Sequence, residues 1–373
     1  MSSIKFKVLL FSLFLLLLFV PPLEAKWDVD VASSLYTAYD SNVTYANNNA
    51  QDDVVATVLL GLSLGNEWRT QRLNGSLNLI QQSYFDHNQF NNFAQEMKLN
   101  YYKDLSRFDR FRVWNHFTYA EAPLTYQESF SRSTGRYQYC KHRFGMDYEK
   151  DLSPHYVLRS KYSNELYAVE REDLSDSFMQ RLDLELDYIR SSDARFVCGY
   201  NFVTRKYDPG DRSFVHNLIF GYRRKFNVHV SMDARVGVAF IDSFGSDLRV
   251  RRTSSLSFVN ELDETTRWNV SLDQDSNPSA SSVSTLDSWR FNAQFAKQLS
   301  QRISVSVSTF YAMGHYDEID IDEDFFGARL QLDFAVRTDL KAVLSYVFSE
   351  KITDATLSEY TKNLFTLGLT YVF

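Results

Sequence analysis

The stretch Thr366-Leu-Gly-Leu-Thr-Tyr-Val-Phe373 decides the fold class. Its odd positions hold the large apolar residues Leu367, Leu369, Tyr371 and Phe373, whereas three of its four even positions hold threonine or glycine. A period of two is typical of a β-strand that has lipid on one side and a polar lumen on the other. The pattern therefore predicts the last strand of a bacterial outer-membrane barrel. An ordinary half-buried strand with an aromatic end would have the same pattern.

The other end of the sequence favours the same prediction. Lys5 and Lys7 precede an apolar run over 8–20, and the small residue Ala25 closes the segment. This order is typical of a secretory signal peptide. The run is too short to span the ~30 Å hydrocarbon core of a bilayer comfortably as a helix. We therefore expect 1–25 to be a cleaved signal peptide and 26–373 to form a single barrel domain.

Composition permits a barrel without requiring one. The chain has 373 residues with 30 Phe, 23 Tyr and 6 Pro, and its mean hydropathy of -0.33 is polar overall. A soluble secreted β-protein could share these values. After residue 25 no apolar stretch is long enough for a membrane helix, and closed barrels are the other structure that pairs every backbone polar group within lipid.

Loop lengths predict the topology. Alternation divides the chain into about eighteen strands, with sixteen as the alternative count, and the connections switch between long and short. We predict an antiparallel up-and-down transmembrane barrel with short periplasmic turns, long outer loops and both termini in the periplasm. The predicted long loops are Tyr39–Asp52, Tyr84–Asn92, Glu121–Arg136, Ala168–Ser177, Lys206–Ser213, Asp242–Arg249, Asp273–Thr285, Gly314–Asp324 and Ser349–Glu359. The predicted tight turns are Glu67–Gln71, Lys103–Asp109, Glu149–His155, Arg190–Asp193, Arg224–Asn227, Leu262–Thr266, Lys297–Gln301 and Arg337–Asp339.

The segment Tyr36-Thr-Ala-Tyr-Asp-Ser-Asn-Val-Thr44 carries a family resemblance. It is similar to the start of a family of β-barrel porins found near exopolysaccharide and exosortase systems, whose members often begin with a Tyr-Asp-x-Asn-Val stretch. The resemblance implies an outer-membrane barrel with a transport role and supplies no catalytic residues. Turn chemistry alone is the other explanation of Asp40 and Asn42.

The polar faces of the strands supply the candidate functional residues. Rings of Arg and Lys select anions in pores, and the guanidinium fork suits carboxylates and phosphates. A mixed wall with an arginine surplus therefore predicts passage of small solutes or an anionic polymer by diffusion. The alternative is that these charges pair across strands and hold the wall together. The candidate lumen-lining residues are Arg110, Arg112, Arg143, Arg159, Arg181, Arg195, Arg235, Arg290, Arg329, Asp183, Glu185 and Asp333.

Two loops call for separate predictions. Glu121–Arg136 is among the longest, and it is the best candidate for a segment that folds inward and narrows the lumen. The acidic stretch 317–324 has Asp-x-Asp-x-Asp spacing, but Phe325 and Gln331 stand where a calcium loop of the EF-hand type needs Gly and Glu. We therefore expect a solvated charged loop there and no cofactor, with loose binding of divalent cations shared with lipopolysaccharide as the alternative.

Other function classes find little support in the residues. Cys140 and Cys198 fall on lipid-facing positions three strands apart, so we expect no disulfide. His116 and His229 are predicted to point inward, and no nucleophile or metal motif accompanies them, so we expect no enzyme. The alternatives to a porin are a barrel component of exopolysaccharide export and a non-conducting surface scaffold.

The expected surroundings of the protein follow from the barrel. We predict contact with outer-membrane lipid and lipopolysaccharide, and assembly by the barrel-assembly machinery through Gly368, Tyr371 and Phe373. Polysaccharide and periplasmic export components are further expected partners, and nucleic acid is not. The expected location is the outer membrane of a Gram-negative bacterium.

Overall fold

Eighteen antiparallel strands close into one barrel in the computed structural model, which describes residues 27–208, 210–243, 247–280, 283–354 and 359–373. The predicted signal peptide, and parts of four predicted long loops, lie outside these residues. The strands are β1 Asp28–Asp40, β2 Asp53–Trp68, β3 Gln71–Tyr84, β4 Asn92–Asp104, β5 Asp109–Ala120, β6 Tyr139–Ser153, β7 Tyr156–Val169, β8 Ser177–Ile189, β9 Ala194–Tyr207, β10 Arg212–Lys225, β11 Val230–Ser243, β12 Arg249–Asp263, β13 Thr266–Pro278, β14 Thr285–Ser300, β15 Ile303–Tyr316, β16 Ile321–Ala335, β17 Leu340–Thr353 and β18 Tyr360–Val372.

Each strand pairs with its neighbours along the chain, and β1 pairs with β18 to close the ring. The prediction of an eighteen-stranded up-and-down barrel is confirmed. The ring has two ends, which we name after their connections: the turn end carries residues 69–70, 105–108 and similar short turns, and the loop end carries 41–52 and 121–138. The predictions of long loops at Lys206–Ser213 and Gly314–Asp324 were wrong. The connections there are 208–211 and 317–320, which are no longer than the turns at the other end.

The outward face is apolar. Large side chains exposed on it include Leu60, Leu218, Phe220, Val236 and Leu367, with Leu367 62% exposed. Because the ring leaves no unpaired strand edge and its outside is hydrophobic, the surface that covers it is lipid. Tyr156, Tyr188, Phe196 and Tyr222 lie side by side on β7 to β10 near the turn end, with ring centroids 5.4 Å and 5.2 Å apart within the two pairs. Such aromatic girdles mark a membrane–water interface. The barrel is therefore of the outer-membrane type.

The closing pair of strands has its own packing device. The ring of Tyr36 on β1 lies over Gly368 on β18, where a Cβ atom would come 2.0 Å from Tyr36 Cδ1. The hydroxyl of Ser34 also lies 2.9 Å from that of Thr370 across the same pair of strands. Aromatic side chains that cover a glycine on the neighbouring strand pin the register of the two strands. Gly368 thus serves the closure of the ring in the folded state.

Two further findings concern the part of the chain described. No disulfide joins Cys140 and Cys198, and both lie on the outward side of β6 and β9. No helix is long and apolar enough to cross a membrane. His229 was predicted on an inner face, but it lies in the turn before β11, where its Nδ1 is 2.6 Å from the carbonyl oxygen of Glu261.

Candidate functional site: the barrel lumen

The inner wall is charged on one side. Strand register places the twelve predicted lumen residues on the inner face, opposite the lipid-facing positions, as in β8, where Arg181, Asp183 and Glu185 alternate with outward Leu182 and Leu184. Most of these charges lie on β5 to β11. The facing strands present hydroxyl and amide side chains, among them Ser304, Ser306 and Ser308 on β15 and Asn292 and Gln294 on β14.

Cross-strand ion pairs account for much of the charged side. Arg110 on β5 contacts Glu149 on β6 at 3.0 Å, and Glu149 also accepts from Arg159 on β7 at 2.6 Å. Arg159 continues to Glu185 on β8 at 2.9 Å. Positive and negative side chains therefore alternate from strand to strand, which favours the wall-holding interpretation for these residues.

A buried carboxylate forms the centre of this network. Asp187 is fully buried and lies 2.5 Å from Arg159, 3.0 Å from Arg223 and 3.8 Å from Arg195. Arg235 joins through Glu185 at 3.0 Å. A buried carboxylate is tolerated when several cations surround it. Elsewhere Arg112 pairs with Asp147 at 3.6 Å and Arg290 pairs with Asp275. Six of the predicted arginines are thus paired with acids, namely Arg110, Arg112, Arg159, Arg195, Arg235 and Arg290.

A second group of inner cations forms no close ion pair among the described residues, although Glu165 faces Arg143 and Asp183 faces Lys161 across the strand pairs. Arg143, Lys161 and Arg181, on the adjacent strands β6, β7 and β8, form no ion pair within 4.0 Å with any residue for which coordinates are described, and we name them the cationic trio. Arg143 instead donates to His116 Nδ1 at 2.7 Å, and Arg181 to Asn277 Oδ1 at 3.1 Å. Unpaired guanidinium and ammonium groups retain the capacity to bind a solute anion.

The remaining predicted lumen residues lie apart from this group. Arg329 on β16 donates to Gln331, and Gln331 in turn donates to Asp333 at 2.8 Å and 3.0 Å. The short chain of three polar residues lies on one strand, on the side of the wall rich in hydroxyls. Lys161 was visible in the sequence as a polar-face position, but its lack of an ion pair depends on the rotamers of its neighbours.

Residues 121–138 fold into the lumen and reach the opposite wall, as predicted for this loop. Phe130 packs in a buried cluster with Phe310, Phe325 and Tyr360, which all point inward from β15, β16 and β18. The ring of Tyr126 covers Gly327, where a Cβ atom would come within 2.3 Å, and its hydroxyl lies 3.1 Å from that of Ser308. The loop therefore crosses the barrel and narrows it.

Polar anchors hold the tip of this loop. The backbone of Ser131 has a positive φ of 60°, and its N–H donates to Glu323 at 2.8 Å. Lys351 donates to the carbonyl oxygen of Arg132 at 2.7 Å and pairs with Glu323 at 3.1 Å. Lys351 and Glu323 are buried, so the loop covers an ion pair that water would otherwise solvate.

Two buried arginines hold the second half of the loop. Arg132 lies over the rings of Tyr137 and Tyr139, 4.2 Å and 4.5 Å from their centroids. Arg136 pairs with Glu121 at 2.8 Å and donates to the hydroxyl of Tyr84 at 2.8 Å. Cation–π contacts of desolvated arginines contribute about 2 kcal/mol each. The loop is thus anchored at both walls.

The segment that carries the family resemblance packs beside this loop. Asn42 is buried and donates to the carbonyl oxygens of Ala46 at 2.7 Å and Thr361 at 3.1 Å. Asp40 pairs with Lys362 at 2.7 Å, and Val43 is fully buried. Asp40, Asn42 and Val43 therefore fix loop 41–52 against the wall, which is more than the turn chemistry expected of them.

Comparisons with known proteins do not place the chain in a family, so the identification of the barrel depends on its strand pairings. No family model matches the sequence, and no curated protein matches it. Solved structures similar to the chain include Acinetobacter baumannii OccAB3, at 12% identity with 93% of this chain and 99% of that chain covered and a TM-score of 0.46. Pseudomonas aeruginosa OprD is similar at 10% identity, with 94% and 97% covered and a TM-score of 0.44. The siderophore receptor PirA of P. aeruginosa is similar at 9% identity, with 94% and 81% covered and a TM-score of 0.48. At these values the similarity carries no information on substrate.

The acidic stretch 317–324 is the predicted solvated loop in part, because some of its acids are exposed and others are held by neighbouring strands. Asp322, Glu323 and Asp324 belong to β16, and Glu323 points inward to Lys351. Glu318, in the turn before β16, accepts from the Thr285 N–H at 2.5 Å and lies 2.7 Å from the Ser284 hydroxyl. Glu318 and Glu323 are therefore structural, whereas the side chains of Asp320 and Asp322 are largely exposed. No group of three or more His, Cys, Asp or Glu within the residues described is arranged to hold a metal ion.

The carboxyl of Glu318 makes stability depend on pH. Burial raises its pKa, but hydrogen bonds from Thr285, Ser284, Ser243 and Arg249 outweigh burial and hold the pKa below its ordinary value of 4.5. The contribution to stability is therefore present above the unfolded pKa and is lost as pH falls through the lower folded pKa.

Glu318→Gln is expected to destabilise the protein by about 2 kcal/mol at pH 7 and by much less at pH 3. Thermal unfolding at both pH values, with the turn variant Glu264→Gln as control, measures this; equal shifts at pH 7 and pH 3 would contradict it.

Proposed function

We propose that the protein is an outer-membrane channel through which small anionic solutes diffuse. The cationic trio carries this proposal, since its three groups form no ion pair within 4.0 Å in the described part of the chain, whereas six of the predicted arginines do. The docked loop 121–138 favours small solutes over a polymer, because its side chains occupy space that a polymer would need. The short turns then face the periplasm, together with both termini.

Assembly is part of the same proposal. Tyr371 and Phe373 point outward, with ring centroids 4.8 Å apart, and the Phe373 N–H donates to Val31 at 2.9 Å. An exposed aromatic pair on the closing strand suits recognition by the barrel-assembly machinery, with Gly368 setting the register. Lipid and lipopolysaccharide are the proposed partners of the outward face.

Ion selectivity in planar bilayers tests the channel. At about 7 Å in water each unit charge stabilises an anion by about 0.6 kcal/mol. Three such charges amount to roughly 20-fold in local anion concentration at low salt. Replacing Arg143, Lys161 and Arg181 together by Gln is expected to lower the anion-to-cation permeability ratio several-fold in 10 mM salt, and to change little in 1 M salt because the charges are then screened.

The matched control replaces Arg329 and Lys341 by Gln, since these inner cations lie on the opposite wall. Its permeability ratio is expected to stay near that of the native protein. An equal fall in both variants would mean that net charge, and not the cationic trio, sets selectivity. Cation-selective current in the native protein would refute the proposal.

The docked loop also favours a second candidate. A barrel whose lumen is crossed by a packed segment fits a non-conducting surface scaffold, or the barrel component of an exopolysaccharide export system whose partner displaces the loop. A folded native protein that passes no current would select this candidate. The search would then move to periplasmic export components and polysaccharide.

A further inference from the structure

The wall bends sharply over β9 to β13. Gly199, Gly221 and Gly237 face inward on the three successive strands β9, β10 and β11. At Gly237 a Cβ atom would come 2.4 Å from the carbonyl oxygen of Leu218, so the curvature requires glycine. Cα atoms of β13 come within 8 Å of those of β9 and β10, although β11 and β12 lie between them in the sheet.

A cavity of about 370 Å³ lies inside this bend, and we name it the corner groove. Its volume lies in the range of small-molecule sites, and its lining is mostly polar. Arg181 crosses from β8 to donate to Asn277 on β13 at 3.1 Å, so both sides of the bend contribute to the lining. The side chains that matter below are Arg181, Asn217, Arg235, Asp273 and Asp275.

Most charges of the corner groove neutralise one another. Asp275 pairs with Arg290, and Arg235 pairs with Glu185 at 3.0 Å and with Asp233 at 2.8 Å. Arg290 lies opposite Asp273 in the register, but its ion pair within 4 Å is with Asp275. Asp183 accepts from Asn201 at 2.5 Å and faces Lys161 across the strand pair.

Two charged groups and one amide oxygen remain. Arg181 and Asp273 form no ion pair within 4.0 Å with any part of the chain that has described coordinates, and Asp273 receives one long hydrogen bond, from Ser271 at 3.3 Å. Asn217 is 6% exposed, and its amide donates to Asn201 at 3.0 Å, whereas its Oδ1 has no donor. A buried acceptor without a donor costs about 1–3 kcal/mol. Within the described ranges, the corner groove therefore holds one guanidinium and one carboxylate without an ion pair, beside one buried amide oxygen without a donor.

We propose that the corner groove binds a small zwitterion, that is, a solute with one carboxylate and one ammonium group. Arg181 binds the carboxylate through its guanidinium fork. Asp273 accepts hydrogen bonds from the ammonium group, which has three donors. This inference rests on the proposed channel function and names the solute class that the channel takes.

Calorimetry on the folded, detergent-solubilised protein tests binding without requiring conduction. The probes are 4-aminobutanoate and 6-aminohexanoate, with butanoate, hexanoate, butylammonium and hexylammonium as matched ions. We expect at least one zwitterion to bind 10-fold or more tightly than both of its matched ions. Asp273→Asn is expected to remove this advantage while leaving the carboxylate affinity unchanged, and Asp273→Glu is expected to retain part of it. Arg181→Gln is expected to weaken zwitterion and carboxylate alike.

Asp333→Asn is the control, because Asp333 is an inner-face acid on β16 outside the corner groove. Equal affinity for zwitterions and matched ions in the native protein would overturn the inference, as would the same loss in the Asp273→Asn and Asp333→Asn variants. Each variant is first shown to be folded by gel electrophoresis, in which the unheated barrel migrates differently from the heated, unfolded protein. Anion-selective current without zwitterion binding would refute the inference and leave the channel standing. Zwitterion binding without current would refute the channel and leave the zwitterion site standing.

Discussion

Replacing Phe130 with Ala is expected to release loop 121–138 from the far wall and to raise single-channel conductance. The change removes a buried phenyl ring from the cluster with Phe310, Phe325 and Tyr360. Truncations of this kind cost about 3–5 kcal/mol. A loss of about 3 kcal/mol shifts the balance between docked and released loop more than 100-fold. Planar-bilayer conductance and permeation of bulky sugars into vesicles measure the result.

Protease access gives a second readout of the same variant. Arg132 and Arg136 are trypsin sites that the docked loop buries, so cleavage after them is expected to become fast in the Phe130→Ala protein. Phe326→Ala is the control, because Phe326 precedes Gly327 on the same strand but points to lipid. If the Phe130→Ala protein kept native conductance and resisted trypsin, Phe130 would not be what holds the loop against the far wall.

Replacing Gly368 with Ala is expected to prevent closure of the ring in most molecules. The new Cβ would overlap Tyr36 Cδ1 at 2.0 Å, and overpacking of this kind costs about 1–3 kcal/mol or more. Without the β1–β18 pair two strand edges would be exposed to lipid, where each unpaired backbone group costs several kcal/mol. The folded fraction of the variant is expected to fall sharply. It is measured after folding into vesicles, as the share of protein whose electrophoretic mobility differs between unheated and heated samples.

A compensating change separates this explanation from a general intolerance of alanine. The double variant Gly368→Ala with Tyr36→Ala removes the ring that the Cβ would strike, so its folded fraction is expected to recover. Gly65→Ala is the matched control, since its nearest neighbouring atom would lie 3.8 Å from the new Cβ. Failure of the double variant to recover would show that Gly368 acts through something other than Tyr36.

Local sequence determined much of the fold in advance. The alternation of Leu182 with Arg181 and Asp183 identifies the inner face of β8, because lipid and lumen impose opposite solvents on successive residues. The long loop at 121–136 was the correct candidate for the inward segment. Strand ends were harder to predict: β13 runs to Pro278 and β16 begins at Ile321, since ladders continue beyond the apolar belt where charged residues no longer mark a loop.

The state of the lumen could not be predicted from single strands. Whether an arginine is free or paired depends on partners in other parts of the chain, as for Arg223, which meets Asp187 from two strands away. Glu318 and Glu323 were predicted to be solvated because nothing local reveals that Glu323 faces Lys351 or that Glu318 meets Thr285. The corner groove depends on three glycines whose joint effect appears once the strands are side by side.

The docking of loop 121–138 imposes an order on biogenesis. Its partners lie far along the chain, since Ser131 and Glu323 are separated by 192 positions and Arg132 and Lys351 by 219. Contacts of such long range form late, after the closure entropy of the intervening chain has been overcome. The lumen therefore stays uncrossed until β16 and β17 have joined the sheet. Any chaperone that holds an incomplete barrel meets the loop in its undocked form, with Phe130 accessible.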